Sequence, residues 1–102
     1  MFCITGVYPN KDGAQFDFEY YTTKHLPMGA GYLGDNVVKV EVRKGVASAD
    51  GSAPPFVCVV NVWINSVEEF QSAMAEHGEK LMSDIPNYTN IEPIMQVDEV
   101  LG

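Results

Sequence analysis

Residues 56–64, Phe-Val-Cys-Val-Val-Asn-Val-Trp-Ile, are apolar at nearly every position. A strand wetted on one side alternates apolar with polar residues, whereas an unbroken apolar run needs cover on both faces. The run is strand length, and its Val and aromatic content suits a pleated surface. This segment therefore belongs in the middle of a sheet, and the rest of the chain must be arranged to cover it.

Three further strands are legible. Residues 2–8 form a second apolar run, ended by the turn chemistry of Pro9-Asn10-Lys11-Asp12-Gly13. Residues 36–44 alternate, with Val38, Val40 and Val42 on one side and Lys39, Glu41 and Arg43 on the other, as on a half-exposed strand. Residues 91–101 read as a last strand, in which Pro93 marks an edge or a bulge. Residues 45–55, with Gly45 and Pro54-Pro55, read as a surface loop.

Two helices fit between these strands. The first is expected over residues 14–25, with Phe16, Tyr20 and Lys24 on one stripe and Phe18, Tyr21 and His25 on another. Asp17 and Glu19 favour its N-terminus. Pro27 is expected to stop it, because the residue before a proline is pushed out of the α region, leaving residues 28–35 as a glycine-rich loop. Ser66-Val67-Glu68-Glu69 is a capping box that opens the second helix. Val67, Phe70, Ala73, Met74 and Leu81 supply its apolar face, and Pro86 follows its end.

The order β-α-β-β-α-β over residues 1–102 predicts a single ferredoxin-like α+β domain. Right-handed crossovers give a four-stranded antiparallel sheet, order 4-1-3-2, with both helices on one face. The other face then exposes either Phe56, Cys58, Val60, Val62 and Ile64 or Val57, Val59 and Trp63. Each wet side chain forgoes about 1.5–3 kcal/mol, and the sum rivals the ~5–15 kcal/mol stability of a whole domain. A second copy of the chain is the expected cover; a curled sheet shielded by residues 45–55 is the alternative.

Composition narrows the partners. The net charge of −8 repels phosphate backbones and anionic lipid, so neither nucleic acid nor a membrane is expected. No apolar run reaches the length of a membrane span. Residues 1–5 lack the pattern of a secretory leader, so a cytoplasmic location is expected and the sequon at Asn87-Tyr88-Thr89 reads as accidental. Cys3 and Cys58 sit in apolar runs, as buried thiols do, and a disulfide between them is disfavoured in a reducing compartment. No Cys/His spacing matches a zinc site, and no cofactor is expected.

The densest chemistry lies in residues 16–27. Histidine is the side chain whose reference pKa lies near neutrality, which makes His25 the natural proton-transfer candidate. Tyr21, one turn earlier, offers a phenol on the same face. Lys24 can attract an anion or stay solvated. The same pattern also suits plain packing, with aromatics in the core and a histidine at a helix C-terminus. The residues by themselves leave both readings open.

The motif Phe18-x-x-Tyr21-x-x-Lys24-His25-x-Pro27 after a first strand resembles the EthD (ethyl tert-butyl ether degradation) family of dimeric α+β barrels. The opening Phe-Cys-Ile-Thr-Gly-Val-Tyr-Pro and the aromatic third strand suit it also. The resemblance implies a homodimer, a pocket between sheet and helices in each subunit, and His25 facing that pocket. It implies cofactor-independent proton-transfer chemistry (dehydration, decarboxylation or isomerisation) on a small hydrophobic or aromatic molecule. His25 and Tyr21 would be catalytic; Tyr20, Lys24, Tyr32 and Trp63 would bind substrate. Two alternatives accompany it. One is a non-catalytic small-molecule-binding barrel. The other is a haem-degrading or quinone-forming monooxygenase of the same superfamily, for which Asn10, Trp63 and His77 invite comparison. The bare sheet face carries a direct prediction: light scattering at micromolar concentration should return the mass of two chains, and a species of 11.2 kDa alone would refute it.

Overall fold

The computed structural model describes all of residues 1–102. Strands β1 (Phe2–Pro9), β2 (Val37–Lys44), β3 (Phe56–Ile64) and β4 (Ile94–Glu99) form one sheet in the order β2-β3-β1-β4, every neighbour antiparallel. This is the expected order, and the two least polar strands hold its centre. The fold is ferredoxin-like α+β.

Pairing register assigns the faces. Ile4 pairs with Val62, Gly6 with Val60 and Tyr8 with Cys58, while Val40 and Val42 extend this set on β2 and Met95 extends it on β4. Directly paired residues share a face, so this set looks toward the helices. The opposite, open face carries Cys3, Thr5 and Val7 on β1; Val57, Val59, Asn61 and Trp63 on β3; and Lys39, Glu41 and Arg43 on β2. A register shift between Val37 and Lys39 leaves Val38 without a partner and exposed. Cys3 and Cys58 lie on opposite faces, so no disulfide can join them.

The open face is less uniformly apolar than the run on β3 suggests. Asn61 donates to Thr5 Oγ1 (3.2 Å), and Thr5 in turn donates to Asp98. Glu41 pairs with Arg43 and lies 3.9 Å from Lys39, whose ammonium sits 5.0 Å above the Trp63 ring. Val7, Val57, Val59 and Ile94 form the apolar part beside this polar centre.

The first helical arm differs from expectation. Asp17 caps it, its carboxylate accepting from Tyr20 N (3.0 Å). One turn, α1 (Phe18–Tyr20), leads into a π turn (Tyr21–His25) and then into α2 (Leu26–Leu33). Helical structure thus continues through Pro27, and most of the glycine-rich stretch is helix instead of loop. The reason is local. Proline clashes with the carbonyl four residues back in a regular helix, but here the preceding turn is widened, with Leu26 N–H bonding back to Tyr21 O. Gly29 adds no side chain where α2 faces Leu81 of the second helix, although a Cβ there would meet Leu81 only at an ordinary contact distance of 3.6 Å. The arm ends at Gly34, whose φ of 56° is a conformation that L side chains rarely adopt.

The second helix, α3 (Val67–Asp84), opens at the capping box as read: Ser66 Oγ accepts from Glu69 N at 3.1 Å. Buried Asn36 locks its entry by accepting from Ser66 N (2.8 Å) and donating to Ser66 O (2.9 Å). No helix is long and apolar enough to cross a membrane.

The layer between sheet and helices is filled unevenly. Tyr8, Tyr21, Cys58, Val60, Tyr88 and Ile91 form a buried cluster at one end, backed by Phe16 and Phe18. Toward α2 and α3 the layer stays open, partly because Gly6, Gly29 and Gly78 contribute no side chains there. At Gly6 an added Cβ would stand 2.8 Å from Val60 Cγ1. Gly6→Ala should therefore cost about 1–3 kcal/mol in urea denaturation; an unchanged midpoint would show that β1 and β3 can yield at this point.

Candidate functional site

The open part of the layer is a cavity of about 300 Å³ bounded by the sheet, α2 and α3. Its walls are Ile4, Val40, Val60 and Val62 from the sheet and Leu26, Leu33, Phe70, Met74 and Leu81 from the helices. Its polar side chains are His25, Tyr8, Tyr21 and Tyr88. No lysine, arginine or carboxylate lines it, which is the usual make-up of a small-molecule pocket: apolar walls with a few placed polar groups.

Local structure explains how those four side chains meet. The π turn carries Tyr21 and His25 on one side, their rings stacked at 5.5 Å and 15°. Tyr8 comes from the end of β1 on the helix-facing side. Tyr88 follows α3 through the short turn Ile85–Asn87. It is held against the first arm by Asp17 N bonding to Tyr88 O (2.7 Å) and by Thr89 Oγ1 donating to Gln15 O (2.6 Å). The residues of the apparent sequon are thus part of this tie; Thr89 is 7% exposed.

His25 is held from both ring nitrogens. Nδ1 lies 2.9 Å from Asp84 Oδ2, and Nε2 lies 3.4 Å from the Tyr88 hydroxyl. Tyr88 and Tyr8 share a hydrogen bond of 2.7 Å. Asp84, the last residue of α3, also accepts from Tyr20 OH (2.7 Å) and from Asn87 Nδ2 (2.9 Å). A hydrogen-bonded series therefore runs from a carboxylate at the helix ends, through an imidazole, to two phenols at the cavity.

The environment sets the charge on these groups. Burial pushes the pKa of Tyr8, Tyr21 and Tyr88 upward, so all three are neutral phenols at ordinary pH. For Asp84 burial works the same way, but the hydrogen bonds from Tyr20, Asn87 and His25 outweigh it and hold the carboxyl below its ordinary value. The Cys58 thiol, buried behind Tyr8, is pushed up to about 12 and stays protonated.

The sequence candidates separate on this frame. His25 and Tyr21 meet in the cavity wall. Tyr20 stands behind it, bonded to Asp84 rather than lining the space. Lys24 is exposed on the outer surface, 5.4 Å above the Tyr20 ring. Tyr32 faces away and stacks on His77 at 4.1 Å and 3°. Trp63 lies on the open side of the sheet beneath Lys39, because its register pairs it with Cys3. Neither Tyr32 nor Trp63 reaches the cavity: Trp63 holds an odd position on β3, and Tyr32 lies on the side of α2 that meets His77, while its neighbour Leu33 lines the cavity. Asn10, Trp63 and His77 share no site: Asn10 bonds to Pro54 O at the end of β1. No three His, Cys, Asp or Glu side chains are arranged to hold a metal ion.

Tyr8, Tyr88 and Asp84 were missed in the sequence. Tyr8 had one signal, its even position on β1 beside Ile4 and Gly6. Asp84 and Tyr88 had none, being 59 and 63 residues from the histidine they contact.

The family model of the EthD domain matches residues 11–92. This chain belongs to the EthD family. An EthD-like protein from Ralstonia eutropha JMP134 is 39% identical, with a TM-score of 0.92 over 99% of this chain and 92% of that one. An EthD family protein from Bacillus halodurans C-125 is 17% identical, with a TM-score of 0.69 over 99% of each chain. SnoaB, a cofactor-independent oxygenase from Streptomyces nogalater, shares the fold at 8% identity and a TM-score of 0.58, over 97% of this chain and 90% of that one. No curated protein matches.

In this EthD protein the carboxyl of Asp84 links the site to stability. Its folded pKa lies below the ordinary carboxyl value of 3.8, so it contributes stability above that value and loses it as the pH falls through the folded pKa. Urea denaturation between about pH 5 and pH 2 should show a smaller acid loss for Asp84→Asn than for the parent; equal losses would mean the carboxylate is not favourably held.

Proposed function

We propose that this EthD protein carries out cofactor-independent proton transfer on a small hydrophobic or aromatic substrate. One observation carries the reading: an apolar cavity whose polar side chains are a histidine and three phenols, gathered around a single hydrogen-bonded series. His25 is the general acid or base. Tyr21, stacked against it, orients the substrate and donates to oxygen charge that develops during the reaction. Dehydration, decarboxylation and isomerisation all reduce to such a transfer.

The apolar walls supply binding by burying a ring or alkyl group, at roughly 25 cal/mol per Å² of apolar surface removed from water. A molecule with several charges would find no counter-ion there. The proposal includes a homodimer joined through the open sheet face, where Val7, Val57, Val59 and Ile94 want cover and the Thr5–Asn61–Asp98 bonds would set register. It also includes a reducing, cytoplasmic setting, which suits two free cysteines.

A non-catalytic binding role shares the cavity but not the chemistry, and one variant separates the two. When the protein is screened against aromatic hydroxy and carbonyl compounds, any turnover found should fall by at least about a hundredfold in His25→Ala, while binding measured by calorimetry persists. Turnover that survives the substitution would remove His25 from the mechanism. Binding without turnover in the parent would leave a carrier or sensor.

A further inference from the structure

Hydrogen-bond direction along the series at the polar end is determined by its charged terminus. Asp84 is an ionised carboxylate and can only accept. The His25 nitrogen that faces it at 2.9 Å must therefore carry the proton, so Nδ1–H is a donor. In the neutral imidazole the other nitrogen, Nε2, then presents a lone pair. Tyr88 OH stands 3.4 Å from that lone pair and is the donor to it, over a distance long for an O–H···N bond. With its own proton turned to His25, Tyr88 accepts from Tyr8 at 2.7 Å. The reverse direction turns the Tyr88 proton away from His25 and leaves Nε2 without a donor from the series.

In the complete arrangement every proton of the series points toward Asp84. What the series itself leaves for the cavity is acceptor capacity, the lone pairs of Tyr8 and Tyr88 and a share of the loosely held Nε2; the Tyr21 phenol lines the cavity outside the series and can donate to a ligand oxygen. No cation lines the space to hold an anion, and the Asp84 charge stands behind the histidine.

We infer that the ligand is a neutral hydroxyl compound, a phenol or an enol, which donates its O–H into the Tyr8–Tyr88–His25 series while its hydrocarbon part fills the apolar cavity. Carboxylates and hydroxyl-capped analogues are disfavoured. The inference rests on the proton-transfer reading of this site and supplies its first step. The ligand's O–H proton passes to Tyr8, the Tyr8 proton to Tyr88, and the Tyr88 proton to His25 Nε2. Three O–H bonds break, and two O–H bonds and one N–H bond form. The ligand is left as an oxyanion and His25 as an imidazolium beside Asp84. After the shift Tyr8 and Tyr88 have turned round, and the Tyr8 hydroxyl donates to the new oxyanion. The network thus accepts from the ground state and donates to the charge that develops, the differential that accelerates a reaction. Asp84 is a positioning residue in this scheme, because it sets the direction without touching the ligand.

The test is calorimetric, at pH 7, on the full chain with three matched probes: para-propylphenol, para-propylanisole and para-propylbenzoate. The phenol should bind at least about tenfold more tightly than the anisole, the worth of a good hydrogen bond, and more tightly still than the benzoate. Tyr8→Phe removes one oxygen and keeps the ring, so it should shrink the phenol-to-anisole ratio to below about threefold. In nitrogen-15 spectra of the parent, His25 should show a protonated Nδ1 and an unprotonated Nε2. In Asp84→Asn that preference should weaken while His77, which is remote, serves as the unchanged control. Anisole or benzoate binding as tightly as the phenol, no binding of any probe at about 1 mM, or an Nε2-protonated neutral His25 would each overturn the inference. Because binding and tautomer are read without turnover, failure of the catalytic proposal is distinguishable: a phenol preference without any reaction upholds the ligand class and rejects the enzyme.

Discussion

The packing of aromatic rings at one end of the sheet is the constraint on which the rest depends. Phe16 packs edge-on against Tyr8 (5.0 Å) and Tyr21 (5.0 Å), and Tyr21 lies 4.9 Å from Tyr88. Such pairs add to the area they bury because ring edges meet ring faces. The wedge fixes the spacing between sheet and helices at that end. Farther along, residues without side chains line the same gap, and the layers cannot close on it. The cavity is thus a consequence of where the bulky residues were placed.

The wedge also brings polar atoms into an apolar place. Each buried phenol needs a partner, since an unmet hydroxyl costs about 1–3 kcal/mol. No buried side-chain polar atom lacks one. The partners are drawn from β1, the first helical arm, the end of α3 and the turn after it, so that satisfying them ties four segments together. The same bonds that meet the cost of burial align His25, and structure and chemistry share these atoms.

Much of the architecture was legible because its signals are local. The unbroken run on β3, the alternation on β2 and the capping box at Ser66 each act within a few residues, and each element formed where those signals placed it. The first helical arm is the instructive exception. The rule that proline ends a helix assumes regular α geometry upstream, and the widened turn at Tyr21–His25 removes the clash. Contact of α2 with α3 then keeps a glycine-rich stretch helical that would be a poor helix alone. Trp63 shows a second limit. Its aromatic character suited a pocket, but register, one residue out of step with Val62, put it on the other face.

The sequence by itself determined the strand order, the central place of β3 and the candidacy of His25, because periodicity and capping are properties of neighbouring residues. The tertiary structure alone decided what His25 touches. Asp84, Tyr88 and Tyr8 reach the site across separations that no local pattern encodes: Tyr8 and Tyr88, 80 residues apart, share one hydrogen bond. The partners of a side chain depend on how far apart two layers are held and which way each element is rotated. Those are properties of the packed molecule, decided here by aromatic rings at one end and missing side chains at the other.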